Sequence, residues 1–264
     1  MKKLLFKSAC ALLAAVLAIG LAGCSGKTES SAPATESVTT EPPTEAEVFV
    51  TETDLTKLHP ITAQSDQFAG MWRITDGVGA KLEHFVYEFD GNGNAYIMVG
   101  TTGYCGTYGV KAEDGKDLFI TQLMFGLDGK YTYKFSKDRN NVVLTNISNG
   151  STTSLEKTEG FSPVPDSPES YVTDEALLGA WVDSTGGYLY FGKDGVMYDA
   201  QANVSFTFYT YSAADGKINE TSVLTEEINE TATYSVEKDV QDAKKDILTY
   251  NDVEYQRVSA DKLP

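Results

Sequence analysis

The chain has 264 residues, enough for about two domains, and carries a formal net charge of −17. So acidic a chain is repelled by phosphate backbones, which argues against nucleic acid as a partner. Its 15 Tyr, 12 Phe and 23 Gly, without long helical periods, favour β structure with tight turns.

The chain opens MKKLLFKSACALLAAVLAIGLAGC. Lys2, Lys3 and Lys7 precede an apolar run from Ser8 to Ala22, shorter than the ~20 residues that span hydrocarbon. Residues 1–23 therefore read as an export signal. Leu21-Ala22-Gly23-Cys24 resembles the lipobox of bacterial lipoproteins. That resemblance implies cleavage before Cys24, acylation of its thiol, and a lipid-anchored protein on the extracytoplasmic face of the cell membrane. Two or more acyl chains make a stable anchor.

Residues 24–66 are dominated by Thr, Ser, Glu and Pro and show no apolar period. Such a stretch buries too little to fold, which predicts a disordered acidic linker. His59 falls inside it, where no site is expected to hold it.

Residues 67–158 and 176–259 repeat one another, with a Pro-rich linker at 159–175 between them and a tail at 260–264. Gly70-Met71-Trp72 answers Gly179-Ala180-Trp181, and Phe89, Gly93 and Tyr96 are spaced as Phe191, Gly195 and Tyr198. Tyr108, Asp114-Gly115-Lys116 and Tyr133 are spaced as Tyr209, Asp215-Gly216-Lys217 and Tyr234. A series in one order marks a duplicated domain, and the linker reads the copies as separate units.

Within each copy, alternation and turn punctuation predict about eight short strands. Tyr87 and Phe89 share a face before the Asp90-Gly91-Asn92-Gly93 turn, and the plan recurs around Lys193-Asp194-Gly195. The expected fold class is all-β: two tandem small antiparallel up-and-down β-barrels of about eight strands each. Closure would remove exposed edges.

A short turn, Gly-x-Trp and an eight-strand meander are similar to the lipocalin pattern. The closer likeness is to the small lipocalin-like, calycin-type domains found in tandem on bacterial lipoproteins. In lipocalins the Trp sits at the barrel floor and an Arg from near the last strand packs across it. The resemblance implies that role for Gly70, Trp72 and Lys157 in the first copy, and for Gly179, Trp181 and Arg257 in the second. A cation over indole contributes about 0.5–2 kcal/mol.

Chemistry is sparse. Cys105 is the thiol left once Cys24 is acylated, and it reads as a buried small hydrophobe or as a reactive thiol. His84 reads as a rim residue beside Phe85. A Cys105–His84 nucleophile pair would make a hydrolase, but neither residue has an orienting group nearby. Asp90 to Asn94 starts like a calcium loop, yet Ala95 replaces its Gly and Thr101 its Glu, so a turn is expected. Glu226, Glu227 and Glu230 form an acidic loop, solvated or weakly cation-holding. With no phosphate loop and no zinc spacing, neither a metal nor a cofactor is expected.

The segment Leu123-Met124-Phe125-Gly126-Leu127 is apolar where the aligned second copy reads Leu224-Thr225-Glu226-Glu227-Ile228. Leu123, Met124, Phe125 and Leu127 read as a ligand or partner rim, or as a cover for the open end of their own barrel. The expected function is non-catalytic binding of a small apolar ligand or an envelope protein. The alternatives are an assembly module with filled barrels and, behind it, a hydrolase using Cys105.

Overall fold

Local turn chemistry places the strands. Gly91 and Gly93 adopt φ of 85° and 98°, in the left-handed region that glycine tolerates. Asp90 Oδ1 accepts hydrogen bonds from the backbone N–H of Asn92 (2.7 Å) and Asn94 (2.9 Å), so this carboxylate serves its own hairpin.

The computed structural model describes residues 50–59, 66–76, 85–124, 126–221 and 228–264. The signal segment, Cys24, His84, Phe125, Glu226, Glu227 and the Glu230 side chain lie outside what it describes. Among the described residues no helix is long and apolar enough to cross a membrane.

The protein is all-β and antiparallel. Strands β1 (Gly70–Asp76), β2 (Phe85–Phe89), β3 (Asn94–Val99), β4 (Thr102–Glu113), β5 (Lys116–Gln122), β6 (Gly129–Phe135), β7 (Asn141–Asn146) and β8 (Thr152–Thr158) each pair with the next. β8 returns to β1, with Trp72 opposite Lys157, and closes an eight-strand barrel. Alternate side chains fill it: Trp72, Ile74, Tyr87, Phe89, Ile97 and Phe119 are all buried. Each fully buried apolar side chain of this size contributes about 1.5–3 kcal/mol.

Eight further strands follow: β9 (Gly179–Asp183), β10 (Gly187–Phe191), β11 (Val196–Gln201), β12 (Ser205–Ala214), β13 (Lys217–Thr221), β14 (Ile228–Glu237), β15 (Ile247–Tyr250) and β16 (Val253–Val258). Each again pairs with the next, and β16 pairs with β9. Trp181, Phe191, Met197, Tyr211 and Leu248 form their core.

The hydrogen bonds correct one sequence alignment. Tyr108 donates its N–H to Gly93 O (2.9 Å), and Tyr211, not Tyr209, donates to Gly195 O (2.8 Å). The hairpin from Tyr211 to Asp215 is two residues shorter than that from Tyr108 to Asp114. Equal spacing from the Asp-Gly-Lys turn therefore lands on the wrong tyrosine.

The copies are joined by a strand junction. β12 pairs with the first residues of β4, Phe206 lying opposite Gly103. Cys105 N–H donates to Val204 O (2.8 Å) and Phe208 N–H donates to Thr101 O (3.0 Å). In the corrected register Phe208 is the counterpart of Cys105, and Val204 that of Thr101. The two bonds thus exchange under a local twofold, as at an isologous dimer interface. A Cβ on Gly103 would collide with the Phe206 ring, so glycine is what lets the ring lie on the strand.

A further apolar cluster fills this junction. It takes Val86 and Met98 from the first copy and Ala180, Tyr190, Tyr198, Phe206 and Phe208 from the second. Leu55 from the leading segment, Phe161 and Val164 from the linker, and Ala260 from the tail cover it. The part of the expected disordered linker that is described before the gap, residues 50–59, is therefore packed. Leu55–Lys57 forms a 3-10 turn capped by Asp54, Thr53 N–H donates to Tyr190 Oη (3.1 Å), and Ala260 N–H donates to Val50 O (2.9 Å).

Candidate functional site

The Gly-x-Trp motif has a local physical cause. Gly179 has φ +105°, and a Cβ there would lie 3.2 Å from an Arg257 guanidinium nitrogen. That guanidinium lies 3.9 Å from the Trp181 ring centroid. It also pairs with Asp246 Oδ2 (3.0 Å) and donates to the carbonyls of Leu178 (2.5 Å) and Ala176 (2.7 Å). Arg257 and Asp246 are buried. Burial draws the guanidinium below its ordinary pKa, while the Asp246 carboxylate opposes that. In the first copy the Lys157 ammonium stands 5.3 Å from the Trp72 centroid, beside Gly70 at φ +130°, and remains exposed. Both tryptophans donate from Nε1 to carbonyls, Trp72 to Phe68 (2.6 Å) and Trp181 to Leu177 (2.7 Å).

The β5–β6 segment splits. Leu123 and Leu127 are buried in the barrel core, whereas Met124 is 62 % exposed. Tyr87 Oη accepts from Leu127 N–H (3.1 Å), and Leu127 O accepts from Thr121 Oγ1 (2.6 Å), which fastens the segment across the barrel end. Gly106 makes room for Leu123: a Cβ there would press on the leucine side chain.

Two concave sites lie along the strand junction. A groove of about 160 Å³ is lined by His59, Tyr96, Cys105, Thr107, Tyr198 and Phe206, among others. The His59 ring stacks on Phe206 at 4.3 Å and lies 4.8 Å from Tyr96. Its Nε2 is 3.5 Å from Tyr198 Oη. The reading of His59 as an unheld tether residue is thus corrected: aromatic faces from both copies clamp it. Burial lowers its pKa to about 4, so it is neutral at pH 7.

Cys105 sits half-buried in the same groove as a free thiol. Burial pushes it up to about 11. A neutral imidazole beside a protonated thiol does not make the thiolate that nucleophilic attack requires.

On the other side of His59 lies a chamber of about 320 Å³. Met71, Met98, Phe161, Val164 and Phe208 make it apolar, and Glu88 is its carboxyl. Glu88 is 2 % exposed, and among the described residues its Oε1 has no hydrogen-bond partner. Burial, then the Asp90 charge, raises it to about 7.

The second copy also turns polar groups into its strand ring. Tyr250 Oη hydrogen-bonds Glu220, and Asp199, on the Met197 face of β11 but open to solvent, is raised to about 6 by the desolvating side chains around it and then by Asp183. The first copy has Ile97 where the second has Asp199, by the common spacing from Phe89 and Phe191.

Sequence reasoning missed His59, Glu88, Tyr96, Tyr198 and Phe206. One signal was present. β2 and β3 carry Val86, Tyr96 and Met98 on the face opposite Tyr87, Phe89 and Ile97, so both faces are apolar. A strand at the surface of an isolated barrel needs only one. Among the described residues no cluster of His, Cys, Asp and Glu has the geometry to hold a metal ion. No protein-family model matches the chain, and no curated protein matches it.

Proposed function

We propose that this is a lipid-anchored extracytoplasmic binding protein, built from two fused lipocalin-like barrels, that takes a small, largely apolar ligand between the copies without catalysis. The observation that carries this reading is the aromatic groove at the junction, where His59, Tyr96, Tyr198 and Phe206 converge from segments far apart in sequence. Ligand sites are typically apolar and concave with a few polar groups, and they favour seams between domains. The first barrel's interior is filled by its own side chains, which moves binding from the lumen assumed for lipocalins to the outer seam. The strand ring of β9–β16 supports a second barrel of the same plan. The lipobox at Leu21–Cys24 supports the anchor, and mass spectrometry of wild-type protein should find Cys24 diacylated.

The groove is tested by blocking it. Thr107 is exposed, lines the groove and lies outside the cores. Thr107→Trp should abolish binding of Nile red, a neutral apolar dye, with little change in melting temperature. Unchanged dye binding would overturn the groove as the site.

One observation favours a second reading. Met124 stands exposed on a segment otherwise fastened into the barrel, as an assembly contact would. Met124→Asp should then leave stability intact and weaken capture by an envelope protein.

A further inference from the structure

The two copies treat one position differently. Glu88 of β2 and Tyr190 of β10 stand at the same step, each next but one before its turn and directed into the junction. Tyr190 is buried, and its hydroxyl bonds both Thr53 N–H (3.1 Å) and Thr53 O (3.4 Å). Glu88 instead leaves a chamber of about 320 Å³ in front of a carboxyl oxygen that nothing described satisfies. A buried, unpaired carboxyl is costly and needs a reason.

The chamber's other polar groups do not supply one. Among the described residues His59 is its only basic lining side chain, burial keeps His59 neutral, and no Lys or Arg lines the space. Thr56 and Ser162, both exposed, mark its way to solvent.

We infer that this chamber binds a small primary ammonium ion carried on an apolar body, with the Glu88 carboxylate as its counter-charge and Met71, Met98, Phe161 and Phe208 as its sleeve. This rests on the reading of the junction as a ligand site, and it names the ligand class. An ammonium donates charge-assisted hydrogen bonds to the orphaned oxygen, which a neutral donor cannot match. Aromatic walls add a favourable face for a cation. The chain's charge of −17 attracts cations at long range and repels the corresponding anions.

The test is calorimetric titration of the full chain at pH 7.5 with three probes of one length: n-heptylamine, n-heptanol and n-heptanoate. Wild type should bind the amine at least tenfold tighter than the alcohol, and the carboxylate not at all. Glu88→Gln keeps the shape and removes the charge, so amine affinity should fall to that of the alcohol. Glu88→Tyr copies the solution of the second copy, fills the space and should exclude both. A thermal melt confirms that each variant folds, and should Glu88→Tyr fail to fold, Ser162→Trp blocks the chamber at its exposed mouth. If amine and alcohol bind wild type equally and Glu88→Gln changes neither, the ammonium assignment falls while the junction remains a ligand site. If none of the probes binds, the chamber is not a ligand site, and the groove stands or falls on its own dye test.

Discussion

Replacing Arg257 by Ala removes one partner of a buried ion pair. Asp246, 5 % exposed, would lose its guanidinium, and the carbonyls of Leu178 and Ala176 would lose their donors. Breaking such a pair from one side costs about 3–5 kcal/mol, more than the cation–indole contact alone. For a folded part of about 200 residues each kcal/mol moves the midpoint by about 2–4 °C, so the melt should drop by about 10 °C. Lys157→Ala provides the internal control. Its ammonium is exposed and 5.3 Å from the Trp72 centroid, so the loss should be about 0.5–1 kcal/mol. Urea unfolding followed by tryptophan fluorescence suits both variants, because the chain's two tryptophans are the residues under the two cations. Equal losses for the two variants, or a loss below 1 kcal/mol for Arg257→Ala, would refute the buried-pair reasoning.

Other outcomes follow from the junction. Gly103→Val should destabilise the chain by about 1–3 kcal/mol, because a side chain there displaces the Phe206 ring; differential scanning calorimetry reads the loss. Cys105, with its thiol pushed to about 11, should react with iodoacetamide at pH 8 at least tenfold more slowly than in the urea-unfolded chain, mapped by mass spectrometry. Glu88, raised to about 7 by burial and then by Asp90, keeps a proton in the folded chain that the unfolded chain has released. Its contribution to stability is therefore present below about pH 4.5 and lost as pH rises through 7, by about 3 kcal/mol. Asp199, raised to about 6, acts in the same direction, and His59, lowered to about 4, acts oppositely between about pH 4 and 6.5. Subtracting the pH profile of Glu88→Gln from that of wild type cancels both and should leave the Glu88 slope.

Much of the fold was legible because turns and alternation are local. Asp90-Gly91-Asn92-Gly93 and the flanking Tyr87 and Phe89 announce a hairpin, and they form one. The cations meet the tryptophans because β8 and β16 set Lys157 opposite Trp72 and Arg257 opposite Trp181. What stayed hidden is non-local. Asp246, which makes the Arg257 site a buried pair, precedes β15 in a turn that the Gly-x-Trp motif does not reach. The junction depends on which strand edge meets which, and only Gly103 hints at the close approach of Phe206. His59 reads as unheld because it falls in a stretch dominated by Thr, Ser, Glu and Pro, whereas its partners Tyr96 and Phe206 lie far along the chain. Tyr209 was matched to Tyr108 by spacing, and a hairpin two residues shorter moved the true counterpart to Tyr211.

The seam as binding site is tested most directly by methyl NMR on the full chain labelled at methionine. Met71 and Met98 line the junction chamber, Met124 reports the β5–β6 segment, and Met197 lies in the core of β9–β16. On titration with n-heptylamine, the account predicts saturable shifts at Met71 and Met98 and none at Met124 or Met197. Shifts confined to Met197 or Met124, with Met71 and Met98 unmoved, would place binding in the core of β9–β16 or on the β5–β6 segment and contradict the account.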